Sequence, residues 1–382
     1  MQFDKTELTG DLDGALSAFI DHITRTKEEA KAEEERGSRK TQVKIFVAEN
    51  QGFHLEELSK VIGELAETPG LDKRIQKFIS NHNFHETLID ENASYVEIDT
   101  PKAGRTDQFV FIDDGDYLRV ITAERRKWTK KTVERLIRYI PTLERVYLSP
   151  SDLEEIVGDI DGASVSGFTA KYHSYDTDKR VSIRFQGGEE DDLEKVEEHF
   201  NARPTRLEFD QTNSPSAAVQ SSVAQEGHFS FSWVRPGSQE RGRETFFDLS
   251  AGFESHDREN YRIDHNPTLK RQGAGFAIEG STTLELIENG PSNSATDAAE
   301  VLEEEILDYK RRYKYSTWEH GKYEVFDTEN NEPFEVTVED GKIALHAKEG
   351  TTAASFRDFC TLVFEKFNST YSIDKSSRDL LA

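Results

Sequence analysis

The chain has 382 residues, which is enough for two or three domains with buried cores. Its single cysteine, Cys360, excludes an internal disulfide framework and a cysteine-based zinc cluster, and its helical apolar context predicts a core residue. No run approaches 18 apolar residues, and residues 1–4 lack a signal-peptide pattern, so we expect a cytoplasmic protein without a membrane span.

The charge balance is strongly acidic. There are 74 Asp and Glu against 48 Lys and Arg, which gives a net charge of −26. Two interpretations compete: adaptation to a high-salt cytoplasm, where salt screens self-repulsion, or an ordinary acidic protein. The acidic excess is spread along the chain, which favours the halophile, whereas the abundant lysine argues against it.

The N-terminal part begins with helical and then strand-like patterns. Residues 10–36 predict one long helix whose first half carries an apolar stripe and whose second half is almost entirely charged, with Gly37 as its C-terminal stop. Residues 43–48 predict a strand, followed by helices over 55–65 and near 71–79.

A hairpin followed by a helix then recurs. The clearest copies turn at Asp114-Gly115 and at Asp340-Gly341, because Asp-Gly between alternating runs is a strong hairpin signal. The first copy comprises residues 108–112, 117–121 and 129–140, and the second comprises 334–338, 342–346 and 353–367. Two looser copies have strands at 167–172, 180–185, 275–278 and 283–287 and helices at 192–200 and 297–313.

Two further strands are predicted at 228–234 and 245–249, with an exposed loop at 235–243 between them. The predicted fold class is therefore α+β, with mixed or antiparallel sheets, repeated hairpin-helix (ββα) units and a long N-terminal helix. Because a hairpin followed by a helix is a common motif, chance explains the repetition equally well. The predicted domains are an N-terminal helical extension (1–41), an α+β domain with a basic helix (42–160), a middle α+β domain (161–290) and a C-terminal helix-hairpin-helix unit (291–382).

The strongest clue to function is a basic segment. Residues 119–145 carry nine Lys and Arg against three Glu. On one continuous helix four basic residues fall within about 80° of one another, opposite an apolar face: Lys127, Lys131, Arg135 and Arg138. We expect this surface to hold nucleic acid or an acidic partner, or else only to neutralise the protein's own acidic surface. Its residues are Arg125, Arg126, Lys127, Trp128, Lys131, Arg135 and Arg138.

A second basic cluster alternates with aromatic residues at the end of the helix predicted over 297–313. Cations there complement the helix dipole. Alternatively, they grip single-stranded nucleic acid by phosphate neutralisation and base stacking. The cluster comprises Lys310, Arg311, Arg312, Tyr313 and Lys314, and Trp318 follows it.

One string resembles a catalytic signature. His320-Gly-Lys322 with Asp327 matches HxKxxxxD and resembles the motif of the phospholipase D family, which implies a histidine nucleophile and a lysine that holds phosphate. A second HxK begins at His346, but Ala353 stands at its aspartate position, and the Gly-Ser-x-Asn of that family follows neither copy. The resemblance covers eight residues.

Two groups have metal-ligand residue types. His82 and His85 lie at i, i+3 and would share one face of a helix, with Asp90 as a third ligand. The second group, suited to Mg²⁺, is Asp113, Asp114 and Asp116. Capping and turn chemistry explain both groups without a metal. Because no P-loop or dinucleotide motif occurs, we expect no cofactor.

Three hypotheses follow. The first is a non-catalytic subunit of a cytoplasmic complex, possessing nucleic-acid-binding or acidic-partner-binding surfaces and acting in defence or nucleic-acid processing. The second is a nuclease or phosphodiesterase that uses His320 and Lys322, or His82 and His85. The third is a structural protein that assembles with copies of itself through its long helix and basic face.

Overall fold

The computed structural model of the protein has the α+β class that the sequence predicts. It describes residues 3–35, 42–55, 58–67, 73–140, 142–174, 179–187, 190–200, 202–212, 219–261, 268–272, 275–279, 283–288, 295–308, 312–348, 351–367 and 371–374. Within these ranges no helix is both long enough and apolar enough to span a membrane.

The chain divides into two units, and it passes between them several times. Unit 1 consists of Met1–Val146, Ile156–Val165 and Glu208–Glu254. Unit 2 consists of Tyr147–Glu155, Ser166–Leu207 and Ser255–Ala382. The four domains expected from the sequence remain a prediction.

The helices are short apart from α10. They are α1 (Lys5–Leu8), α2 (Leu12–Ile23), α3 (Lys27–Glu35), α4 (Leu58–Glu67), α5 (Lys73–Asn81), α6 (Arg126–Thr129), α7 (Val133–Tyr139), α8 (Pro150–Gly158), α9 (Glu190–Phe200), α10 (Gln239–Asn260), α11 (Ala295–Leu302) and α12 (Ala353–Lys366). A π-helical segment, Glu303–Leu307, continues α11, and Pro101–Ala103 form a 3₁₀ turn.

The strands are β1 (Val43–Asn50), β2 (Asn83–Asp90), β3 (Ala93–Thr100), β4 (Arg105–Asp113), β5 (Tyr117–Thr122), β6 (Leu143–Arg145), β7 (Ala163–Ser174), β8 (Lys179–Gln186), β9 (Arg203–Gln211), β10 (Val219–Ala224), β11 (His228–Val234), β12 (Thr268–Gln272), β13 (Gly275–Glu279), β14 (Thr283–Glu288), β15 (Tyr313–Glu319), β16 (Lys322–Asp327), β17 (Glu332–Glu339), β18 (Lys342–Ala347) and β19 (Tyr371–Ile373).

The sheet of unit 1 is covered on both faces. Its strands follow the order β2-β3-β4-β5-β1-β11-β10, with antiparallel neighbours. Because successive side chains point to opposite faces, Phe46 packs into a cluster with residues of α4, α5 and α7, whereas Ile45 lies with Phe19 of α2 and Phe246 of α10. Helix α7, which carries part of the basic segment, is thus held against the sheet by its apolar face.

In unit 2, strands β15-β16-β17-β18-β14-β19 form an antiparallel sheet in this order, against which α11 and α12 pack. Cys360 of α12 is fully buried in this core, as predicted. Strands β7 and β8 pair antiparallel and precede α9, while β12 pairs with β13.

In both Asp-Gly turns the glycine has the expected positive φ, whereas the aspartate does not, so neither is a type I′ turn. Gly115 has φ 95° and Gly341 has φ 70°, a region that glycine enters without strain. The backbone N–H of Asp114 donates to the Tyr117 carbonyl at 3.1 Å, which closes the first turn. With β7, β8 and α9, the two hairpins and their helices make three of the predicted ββα units.

The fourth unit is absent among the described residues. Strand β13 pairs with β12, and β14 pairs with β18 and β19, so β13 and β14 do not form a hairpin. The helix predicted over 297–313 is also too long, because the helical backbone ends after Leu307 and Tyr313 opens strand β15.

The predicted helix over 10–36 is interrupted at residues 24–26, between α2 and α3. There the backbone pairs with the end of β11: the Arg25 N–H donates to the Val234 carbonyl at 3.1 Å, and the Trp233 indole N–H donates to the Arg25 carbonyl at 2.6 Å. These tertiary hydrogen bonds replace the helical ones.

The strand predicted over 245–249 is wrong, because these residues lie within α10. Phe246, Leu249 and Phe253 are buried at the spacing of one helix face, so the short apolar run belongs to a longer helical pattern. The loop expected over 235–243 is correspondingly shorter, since α10 begins at Gln239.

Candidate nucleic-acid interface

The basic segment does not form the single helix that the sequence predicts. Helix α6 ends at Thr129, and α7 begins only at Val133. Thr132 lies between them with φ −116° and ψ −97°, and its hydroxyl and backbone N–H both donate to the Trp128 carbonyl, at 3.0 and 3.1 Å. The break therefore lies at Thr132, which closes the last turn after α6 and whose carbonyl accepts the first hydrogen bonds of α7.

Trp128 lies at the centre of a group of cations. The guanidinium carbon of Arg105, on β4, lies 3.8 Å from the centroid of the indole ring. The Nζ atoms of Lys127 and Lys131 lie 4.3 and 5.4 Å from the same centroid. Cations at these distances are attracted by the ring's quadrupole. The half-buried indole is thus held in place, and part of it stays accessible.

We call Trp128, the cations that contact it and the exposed basic residues from Arg125 to Arg138 the basic platform. Its members are Arg105, Arg125, Lys127, Trp128, Lys130, Lys131, Arg135 and Arg138. The apolar side of α7 is buried as predicted, since Val133, Leu136 and Ile137 pack into the core of unit 1. The cations of α7 consequently face solvent.

Six cations of the basic platform are exposed and have no carboxylate partner among the residues that the structure describes. They are Arg125, Lys127, Lys130, Lys131, Arg135 and Arg138. In a chain of net charge −26, acidic side chains are available in excess. The hypothesis that these cations only neutralise the protein's own acidic surface therefore gains no support from the local geometry.

Two basic residues of the region have a structural role instead. Arg126 forms ion pairs with Glu134, at 3.1 Å, and with Glu226. Arg145 contacts the same two carboxylates at 3.5 and 3.7 Å. Because this half-buried network links α6 and α7 to β6 and to the β10–β11 turn, Arg126 supports the basic platform rather than forming part of its exposed surface.

A buried carboxylate on the same strand holds Arg105 in position. Its guanidinium forms an ion pair with Asp107 on the same strand. Burial raises the pKa of the Asp107 carboxyl, and the Arg105 guanidinium opposes that shift. This pair fixes the guanidinium against Trp128.

The structure describes three residues of the second basic cluster: Arg312, Tyr313 and Lys314. Lys310 and Arg311 lie outside the described residues. Arg312 binds Asp327 through two hydrogen bonds, of 3.0 and 2.6 Å, and also pairs with Asp358. Tyr313 is 4% exposed within the core of unit 2, and of the three described residues only Lys314 is exposed. Hence Arg312 and Tyr313 neither complement a helix dipole nor form an exposed alternation of basic and aromatic side chains that could bind nucleic acid.

The residues that resemble the phospholipase D motif do not converge. His320 lies in the β15–β16 turn, and Lys322 is exposed, with its Nζ 2.8 Å from Glu319. Asp327, five residues along β16, points to the opposite face and is buried against Arg312. In the second HxK sequence, the Nδ1 atom of His346 lies 3.1 Å from the Thr283 hydroxyl.

The predicted metal-ligand groups are accounted for by local hydrogen bonds. His82 follows α5, and its Nδ1 lies 2.8 Å from the Phe78 carbonyl, while His85 lies on β2. They therefore do not share a helix face. At the hairpin turn, Asp113 accepts from the Gly115 N–H at 2.9 Å, and Asp114 accepts from the Tyr117 N–H at 2.9 Å.

Sequence reasoning missed two members of the basic platform. Lys130 is adjacent to the predicted residues, but on the helical wheel of one continuous helix it lies outside the arc that they occupy. Arg105 comes from another strand, and no local pattern connects it with Trp128. No protein-family model matches the chain, and no curated protein matches its sequence.

Proposed function

We propose that the protein is a non-catalytic, nucleic-acid-binding subunit of a cytoplasmic assembly and that the basic platform is its binding surface. The observation that supports this proposal is the set of six exposed cations without carboxylate partners in the described part of an acidic chain, two of which, Lys127 and Lys131, lie against the Trp128 indole. Cations neutralise phosphates, and the release of condensed counterions supplies affinity without regard to sequence.

The indole favours single strands over duplexes. Unpaired bases stack on aromatic rings whatever their identity, whereas the bases of a duplex are already stacked on one another. The Nζ atoms of Lys127 and Lys131 lie within 5.4 Å of the ring centroid, so cations are close to the phosphates of a nucleotide whose base stacks on the ring. An acidic protein would use the cations but would gain nothing specific from the ring.

If the cytoplasm contains molar salt, as the net charge of −26 suggests, counterion release contributes little there. Stacking on Trp128 would then have to supply most of the affinity. Binding that declines with salt but persists at high concentration is the pattern that this proposal expects.

The test is fluorescence anisotropy with labelled single-stranded DNA, single-stranded RNA and duplex DNA of equal length, at about 0.2 and 2 M KCl. The Lys131→Glu/Arg135→Glu variant should weaken binding of all single-stranded sequences alike and lower the slope of log K against log salt by about 0.7 per lost phosphate contact. A matched control is Lys73→Glu/Lys77→Glu, which reverses two exposed lysines at the same i, i+4 spacing on α5.

The control variant should bind as the wild type does. If wild-type protein binds none of the three probes at either salt concentration, the nucleic-acid proposal is wrong. If instead the platform variant loses a co-purifying acidic protein with no change in nucleic-acid binding, the surface serves a protein partner.

A further inference from the structure

A cluster of metal-ligating side chains lies in unit 2, outside the basic platform. Asp152 and Glu155 are one turn apart on α8, and His256 lies on α10. The Nδ1 atom of His256 is 3.2 Å from Asp152 Oδ1 and 3.7 Å from Glu155 Oε2. One ligand atom from each residue lies within 4.8 Å of the other two.

The spacing suits a small ion with tetrahedral coordination. Ligand atoms about 2.0–2.2 Å from Zn²⁺ are roughly 3.3–3.6 Å from one another, which the observed separations of 3.2 and 3.7 Å bracket. One imidazole with two carboxylates favours Zn²⁺ or another divalent transition metal over Mg²⁺ and Ca²⁺, which take oxygen ligands alone.

Asp152 is oriented by three donors to its second oxygen. Asp152 Oδ2 accepts from the Ser149 N–H, the Ser149 hydroxyl and the Asn260 amide, each at 2.7 Å. The other oxygen, Oδ1, lies 3.2 Å from Nδ1 of His256. Hydrogen bonds to the far oxygen of a ligating carboxylate are a regular feature of metal sites, because they fix the orientation of the ligand.

The three residues differ in burial in a way that leaves one side open. Asp152 is fully buried, and the His256 side chain is 10% exposed, whereas the Glu155 side chain is 51% exposed. An ion between them would be reached past Glu155, and a fourth position would face solvent on that side.

Helix capping explains only part of this arrangement. The Asp152 N–H donates to the Ser149 hydroxyl at 3.3 Å, so Ser149 and Asp152 form a capping box at the start of α8. That motif uses Oδ2 of Asp152 and requires neither Glu155 nor His256.

We propose that Asp152, Glu155 and His256 form a binding site for one divalent transition-metal ion, with Zn²⁺ as the representative ion. The site does not depend on the proposed function, because its residues are outside the basic platform and its test requires no nucleic acid.

The test is isothermal titration of the chelator-treated full chain with ZnCl₂. The wild type should bind one Zn²⁺ per chain. Glu155→Gln keeps the shape of an exposed side chain but replaces its charged oxygen ligand, and it should weaken binding at least tenfold. The control is Glu259→Gln, an exposed carboxylate on the same helix as His256, which should leave the affinity unchanged.

Circular dichroism of both variants checks that the fold is retained, and the visible spectrum of the Co²⁺ complex reports on tetrahedral coordination. The proposal is overturned if the wild type binds no Zn²⁺ with a stoichiometry of one. It is also overturned if Glu155→Gln binds Zn²⁺ as tightly as the wild type and the Glu259→Gln control.

Discussion

The Arg105 guanidinium stacks on the Trp128 indole at 3.8 Å, although the two residues come from a strand and a helix separated by the whole of a hairpin. The contact sets the orientation of the ring before any ligand arrives, because Arg105 is itself fixed by Asp107. A side chain that is already ordered loses less conformational entropy on binding, which raises affinity without adding a contact.

Replacement of Trp128 tests whether the ring stacks on bases. Trp128→Ala should weaken single-stranded nucleic-acid binding by about 1–3 kcal/mol, roughly 5- to 150-fold, and Trp128→Phe should restore part of the loss. Titrations by fluorescence anisotropy measure both. Trp318→Ala removes the 61% exposed indole on β15 and serves as the control, with no change expected. Equal losses in the Trp128 and Trp318 variants would contradict a specific platform.

The salt dependence of stability tests the halophile hypothesis. Because the chain carries a net charge of −26, raising KCl from about 0.1 to 2 M should raise the melting temperature by screening repulsion between carboxylates. Scanning calorimetry follows the transition. Near pH 4, where many carboxylates are protonated, the same rise in KCl should have a smaller effect. A melting temperature at neutral pH that stays flat or falls with KCl contradicts halophilic adaptation.

Two glycines should respond to substitution with opposite signs. Gly341 has φ 70° in the β17–β18 turn, so Gly341→Val should lower the free energy of unfolding by about 1 kcal/mol or more. Gly63 lies within α4 with open space around its Cα, so Gly63→Ala should raise that free energy by about 0.5–1 kcal/mol. Urea denaturation measures both, and a destabilising Gly63→Ala would contradict the helical environment described for it.

The buried ion pair of Arg357 and Asp257 should contribute strongly to the stability of the protein. Arg357 donates to both oxygens of Asp257 at 3.1 and 3.0 Å, and the two side chains are 2% and 0% exposed. Arg357→Met leaves Asp257 as an uncompensated buried charge and should destabilise the protein by about 3–5 kcal/mol.

The double variant Arg357→Met/Asp257→Leu provides the control. With both charges removed, it should lose less stability than the sum of the two single variants, because no buried charge is left alone. Strictly additive losses in urea denaturation would show that the two side chains are not coupled.

Local chemistry made part of the fold predictable. The turns at Gly115 and Gly341, the strand at Val43 and the helix around Cys360 follow from glycine conformation and apolar periodicity, which act over a few residues. The exposed face of Arg135 and Arg138 was predictable for the same reason, since the opposite face of α7 is apolar.

Tertiary contacts decided the rest. Arg25 leaves the helical pattern to pair with β11, and Thr132 ends one helix and precedes the next. Tyr313 follows a helix and becomes a core residue of a strand because Phe334 and Phe359 surround it. His256 meets Asp152 from a helix more than 100 positions later in the chain, and no spacing rule connects residues so far apart.

The position of β1 has a consequence for synthesis of the protein on the ribosome. One edge of β1 pairs with β5. On the other edge residues 48–50 pair with β6, whereas residues 43–46 pair with β11, where Val43 is opposite Phe231 and Phe46 is opposite His228. At about 5–20 residues per second, the roughly 100 residues between β5 and β11 take some 5–20 s to translate. During that interval the nascent chain presents an apolar strand edge with unpaired backbone groups, so this is the period in which it is most exposed to mispairing with a neighbouring chain.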